Sequence, residues 1–195
     1  MKIYSHRINT KSQLLKVPEN CGVEIDIRTD SGQLILSHDP FSYGELLSDW
    51  LTCWEGQPII LNVKEDSIEE EILDLLEKFE VGDFFFLDQS YPSIRRMINK
   101  GMRRIATRVS DYEDLTTALN SGSEWVWLDS FSGNWTYLKE AVPRILQNQQ
   151  KTCLVSPELQ RTNSVHELKS LQNFIVENSI KIDAVCTKTI EDWEA

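Results

Sequence analysis

Val23-Glu24-Ile25-Asp26-Ile27-Arg28-Thr29 is the stretch on which the fold turns. Apolar and polar residues alternate strictly, and residues two apart on a strand point the same way. Val23, Ile25 and Ile27 therefore share one face, and Glu24 and Asp26 share the other. On the edge of an open sheet the acidic face would simply be solvated. A closed barrel has no edge, so there an inward acidic pair needs a cation or a basic partner. The surrounding chain decides between the two.

Short runs rich in aromatic and β-branched residues recur along the chain, at 3–7, 23–29, 58–64, 84–88, 104–109, 125–130, 152–156 and 184–188. Several are apolar throughout, as strands covered on both faces should be. Helical spacing lies between them. Ile68, Ile72, Leu75, Leu76 and Phe79 form one stripe, behind Glu69, Glu70 and Glu71, which read as a solvated helix start favoured by the dipole. Residues 91–100 before Gly101 and residues 112–120 before Ser121-Gly122 predict two more helices. Leu138, Val142, Ile145 and Leu146 predict another, with Pro143 implying a kink or a late start. Val165, Leu168, Leu171, Phe174 and Ile175 mark a further helix, with Ser164 or Asn163 as its N-cap. Residues 45–53 make a shorter one, the stretch after the first strand is weak, and residues 190–195 leave room for about one turn.

Eight β-α units imply a parallel sheet, and eight favour closure. The expected fold is α/β: a compact single-domain (β/α)8 TIM barrel over residues 1–195, with short loops and reduced first and last helices. At 195 residues it falls just below the usual range of roughly 200–400.

Composition narrows the function. Hydrophobic residues make up 41% and charged residues 26%, as in an ordinary globular protein. A net charge of −11 argues against a nucleic-acid partner. No apolar run approaches the ~20 residues of a membrane span, and MKIYSHRINT has no apolar h-region, so a cytoplasmic location is expected. Cys21, Cys53, Cys153 and Cys186 are too dispersed for a metal site and read as buried small hydrophobes.

Active sites of such barrels lie at the C-terminal ends of the strands, and the polar residues collect there. His6 and Arg7 close the first strand, Glu24 and Asp26 lie in the second, and Asn62 and Lys64 end the third. Asp88, Arg108, Asp129, Glu158 and Lys188 fall at or near the ends of the remaining five. Two convergent carboxylates suit Mg²⁺ or Ca²⁺. The imidazoles of His6 and His38 suit general acid–base work near neutral pH. Arg108 fits a second phosphate or carboxylate equally as well as a structural ion pair, and the other four carry the same two readings as substrate-lining residues. Trp125 and Trp127 share one strand face and read as barrel core. Trp50, Trp54, Trp135 and Tyr43 are placed where an aromatic wall beside the pocket is open to them.

His6-Arg7-Ile8, Glu24-Ile25-Asp26, Asp30-Ser31-Gly32 leading to His38-Asp39, and Asn62-Val63-Lys64 follow one another in an order that resembles the glycerophosphodiester phosphodiesterase family. The family reads HRG, E-x-D, a D-G hairpin with HD, and E-x-K, and belongs to a superfamily with phosphatidylinositol-specific phospholipases C. The stretch 182–188 is similar to its final strand. The resemblance implies a metal-dependent phosphodiesterase acting on a small soluble glycerophosphodiester-like substrate. His6 and His38 would be the acid–base pair, Arg7 and Lys64 the phosphate ligands, and Glu24, Asp26 and Asn62 the holders of one Mg²⁺ or Ca²⁺. A catalytically weakened phosphate-binding barrel, and a lyase releasing a cyclic phosphate, are the alternatives it leaves open. Three departures stand out: Asn62 replaces an acidic ligand, Ile8 replaces a glycine, and residues 39–57 are too short for the family's insertion subdomain.

Overall fold

The computed structural model describes residues 1–160 and 165–194. Among these, the strands are β1 (Lys2–Ser5), β2 (Gly22–Asp30), β3 (Gln33–Leu36), β4 (Glu45–Leu46), β5 (Ile59–Val63), β6 (Phe84–Leu87), β7 (Ala106–Val109), β8 (Trp125–Leu128), β9 (Lys151–Val155) and β10 (Ala184–Thr187). The helices are α1 (Lys11–Leu14), α2 (Leu47–Leu51), α3 (Glu69–Lys78), α4 (Tyr91–Asn99), α5 (Leu115–Ser121), α6 (Leu138–Gln147) and α7 (Val165–Glu177). The expected N-cap of α7, Ser164 or Asn163, lies outside the described residues.

Eight strands run parallel and close on themselves. β1 pairs with both β2 and β10, and the ring continues through β5, β6, β7, β8 and β9. The α/β barrel expected from the sequence is thus the observed architecture. Its weakest join lies between β6 and β7, which one parallel bridge, Phe86 to Ile105, holds together. The two remaining strands are additions on the rim: β3 folds back antiparallel on β2, and β4 on β3. Ser31 and Gly32 make that turn with φ of 51° and 77°, a left-handed geometry natural to glycine.

Side-chain alternation sorts each strand into two environments. Val23, Ile25 and Ile27 face outward into the layer that α2, α3 and α4 cover. Tyr4, Ile60, Phe85, Trp127 and Cys186 point inward and fill the barrel. Phe85 and Trp125 stack there at 4.5 Å, so Trp125 and Trp127 are core, as expected. Trp50 and Trp135 are buried too, which removes them from any aromatic wall, whereas Tyr43 is exposed. Three cysteines are buried and none is bridged.

Local chemistry moved some boundaries. α5 begins at Leu115, not 112, because the Asp114 side chain caps Thr116 N–H and Ser110 Oγ takes the N–H groups of Tyr112 and Glu113. α6 runs through Pro143 from Leu138, with the proline on the exposed face. Glu69 is not solvated: it is 2% exposed, bonded to Gln89 Nε2 (3.0 Å) and Arg96 Nη2 (3.3 Å). The left-handed residue of the first loop is Arg7, with φ 56°, and Ile8 is packed in the core. A glycine at position 8 is therefore not needed. No helix among the described residues is long and apolar enough to cross a membrane.

Candidate active site

Glu24 and Asp26 point into the barrel near its mouth and are almost wholly buried. Glu24 Oε2 accepts the Arg7 N–H at 2.7 Å, and Oε1 accepts Asn62 Nδ2 at 2.8 Å. Burial and the neighbouring Asp26 push the Glu24 carboxyl above the usual carboxylate range. Asp26 is gripped at two points by Asn9: Nδ2 donates to Oδ2 (2.8 Å), and Asp26 N–H donates to Oδ1 of Asn9 (2.9 Å). Lys64 Nζ stands 3.2 Å from Asp26 Oδ1 and Arg7 Nε 3.8 Å from Oδ2.

His6 follows β1, and its N–H is tied to Thr187 O on β10 (2.9 Å). Its Nε2 lies 3.8 Å from Glu24 Oε2, and its buried Nδ1 has no partner. Burial, then Arg7, pulls the imidazole down to about 3, so His6 is neutral at neutral pH and the contact with Glu24 is not an ion pair. His38 sits on the rim, one residue after Ser37, whose N–H donates to Asp26 O (3.0 Å). Its Nδ1 meets Asp39 Oδ1 at 2.8 Å, an arrangement that presents Nε2 outward.

The expected substrate-lining residues divide. Asp88, Arg108 and Asp129 form one network: Asp88 bridges Lys64 Nζ (3.4 Å) and the Arg108 guanidinium, which also meets Asp129 (3.5 Å) and Glu113 (3.8 Å). Arg108 is thereby neutralised by three carboxylates, which makes it a poor receptor for a second phosphate. Asp129 is buried and raised to about 6 by that burial, while Gln160 Nε2 bonds it at 2.8 Å. Glu158 is spent on structure. Its Oε1 holds Thr187 Oγ1 (2.5 Å) and Lys188 N–H (3.0 Å), and its Oε2 holds Ser156 Oγ. Lys188 is exposed, close enough to His6 to lower its basicity, and has no ion-pair partner among the described residues.

Asn62 and Asp26 are direct partners in the β2–β5 register. Both have a buried Oδ1 without a hydrogen-bond donor, the Lys64 ammonium at Asp26 being an ion pair only. The unbonded Asn62 Oδ1 and the Asp26 Oδ1, which faces only the Lys64 ammonium, lie beside the Glu24 carboxyl group and fit one hard divalent cation, at lower charge than three acids would supply. Among the described residues no three His, Cys, Asp or Glu side chains converge on a metal-sized site, so the amide oxygen would be needed to complete the protein's share.

Asn9, Gln89 and Gln160 were missed by the sequence reading. An asparagine or glutamine carries no periodic signal, and each matters here through a partner at least 17 positions away.

No family model matches the chain, and no curated protein matches it in sequence. Solved structures do match in fold. A glycerophosphodiester phosphodiesterase from Agrobacterium tumefaciens str. C58 superposes with a TM-score of 0.72 at 13% identity, over 100% of this chain and 99% of that one. One from Parabacteroides distasonis ATCC 8503 gives 0.69 at 13% identity, covering 99% and 95%. A tryptophan synthase alpha-subunit from Pyrococcus furiosus gives 0.58 at 13%, covering 97% and 87%. At such identities the likeness is one of architecture: this chain has the barrel fold that those phosphodiesterases also have.

Proposed function

We propose that the chain, as one domain, is a metal-dependent phosphodiesterase acting on a small phosphodiester. The observation that carries this is the convergence of a neutral His6, the Glu24–Asp26–Asn62 oxygen set and the Lys64 ammonium at one barrel mouth. The fold shared with glycerophosphodiester phosphodiesterases supports it. His6, fixed beside Glu24, accepts the proton of the attacking hydroxyl, the charge of the bound phosphodiester offsetting the Arg7, Lys188 and Lys64 cations that lower its basicity. His38, with Nδ1 committed to Asp39, delivers a proton from Nε2 to the departing alcohol. Arg7, Lys64 and Lys188 hold the non-bridging oxygens. Glu24, Asp26 and Asn62 would hold one Mg²⁺ or Ca²⁺, which supplies charge neutralisation on the phosphoryl group.

A second reading, a phosphate-binding barrel without turnover, is favoured by Asn62, which adds no charge to the metal set. A lyase releasing a cyclic phosphate uses the same residues. The test is a screen of glycerophosphodiesters and sugar phosphodiesters with and without chelator, in wild type and His38→Ala. Turnover lost in the variant and on chelation supports the proposal. Phosphate binding without turnover supports the second reading.

A further inference from the structure

Helices α3 and α4 lie side by side on the flank of the barrel and carry opposite charge. Residues 69–80 hold six acids and one lysine, whereas residues 95–104 hold five of the chain's 20 lysines and arginines and no acid. Glu70, Asp74 and Glu77 are exposed, and their spacing of four and three residues makes one acidic stripe along α3. Arg96 and Lys100 repeat the four-residue step along α4 and its end, and Arg103 follows beyond Gly101, all three exposed.

Each stripe works against the helix that carries it. Like charges four residues apart repel, and Glu77 sits in the last turn of α3, where the helix dipole disfavours an acid. Pairing within the chain relieves only part of this: Arg96 meets Glu69 at 3.3 Å, and Lys100 meets Glu70. Asp74, Glu77 and Arg103 have no ion pair among the described residues. The two existing pairs set the register of the helices. Asp74, one turn beyond Glu70, comes about level with Arg103, three residues beyond Lys100. A groove floored by Leu73, Met97 and Met102 lies between them.

Both helices follow parallel neighbouring strands, β5 and β6, and so run the same way. A twofold axis laid along the groove therefore sets each α3 on the other copy's α4 at an unchanged level. It brings Asp74 of each copy opposite Arg103 of the other, and it turns the apolar floor toward its own counterpart, where methionines adapt readily.

We propose that this α3–α4 face is the contact between two copies of the chain, a salt-sensitive homodimer closed by two Asp74–Arg103 pairs. The face measures about 15 Å by about 20 Å, well short of the roughly 800 Å² per partner of a standard interface, so the association is weak. Both barrel mouths stay open, because the face lies on the flank.

The experiment is sedimentation velocity on the full chain, from roughly micromolar to millimolar concentration, at low ionic strength and in about 0.5 M salt. It compares wild type, Arg103→Glu, Asp74→Arg and an equal mixture of the two variants. Wild type should dimerise at low ionic strength and dissociate in salt. Each variant alone sets like charges opposite one another, and its dimer dissociation constant should rise about tenfold or more. The mixture should recover wild-type association, because the native Asp74 and Arg103 of the two variants meet and the two introduced charges meet as well. Both positions are exposed and unpaired, so melting temperatures should stay within the small range of surface substitutions. A wild type that is monomeric throughout, a dimer indifferent to salt or to both variants, or a mixture no better than its components overturns the proposal.

Discussion

Asn9 holds Asp26 by both ends of its amide, Nδ2 to Oδ2 at 2.8 Å and Oδ1 to the Asp26 N–H at 2.9 Å. The loop after β1 thus sets the orientation of a buried carboxylate on β2. Hydrogen bonds to a charged group contribute about 1.5–3 kcal/mol each, so Asn9→Ala should lose roughly 2 kcal/mol in urea unfolding at neutral pH. Its kcat should fall together with its stability. An unchanged unfolding midpoint would show that the clamp carries no weight.

Asn62→Asp exchanges a donor to Glu24 for a third carboxylate among buried acids. Without metal the variant should melt below wild type. With Mg²⁺ or Ca²⁺ it should gain more, and titration calorimetry should show affinity raised about tenfold or more. A variant that binds neither ion better than wild type would remove Asn62 from the metal set.

Lys188 is exposed and has no ion pair among the described residues, so Lys188→Ala should leave the melting temperature within the small range of surface substitutions. If its ammonium holds a phosphate oxygen, KM for the diester should rise about tenfold. Unchanged steady-state kinetics would exclude that role.

Asp129 supplies a pH signature. Burial raises its carboxyl to about 6, above an unfolded value of about 3.9. Between those values the native chain binds more protons than the unfolded one, so this group's contribution makes stability fall as pH rises from about 4 to about 6. The accumulated cost above pH 6 is about 3 kcal/mol. Asp129→Asn should lack this component, so its stability at pH 7 relative to pH 4 should exceed that of wild type by about that amount. Identical pH dependence in the two proteins would contradict the assignment.

The barrel was legible because its strands are local signals: apolar runs such as Phe84–Leu87 and Ile59–Val63 announce burial on both faces. Period-two alternation put Glu24 and Asp26 on one face, and the count of eight β-α units closed the barrel that turns that face inward. What escaped depends on partners far along the chain. Glu69 looks like a solvated helix start until Gln89 and Arg96 close over it, and Glu158 fits a substrate-lining place until it is seen tying β9 to β10. The parting of β6 and β7 is equally hidden, since neither strand contains a residue that forbids pairing.

The central claim is that His6 and His38 cleave a phosphodiester at this mouth. Phosphorus NMR of a glycerophosphodiester incubated with excess protein and Mg²⁺ tests it most directly, with wild type, His6→Ala and His38→Ala in parallel. The diester signal should give way to a phosphomonoester or cyclic phosphate in wild type, and each variant should be slower by about a hundredfold or more. A diester signal that persists in wild type, or disappears equally fast in all three proteins, would contradict the account.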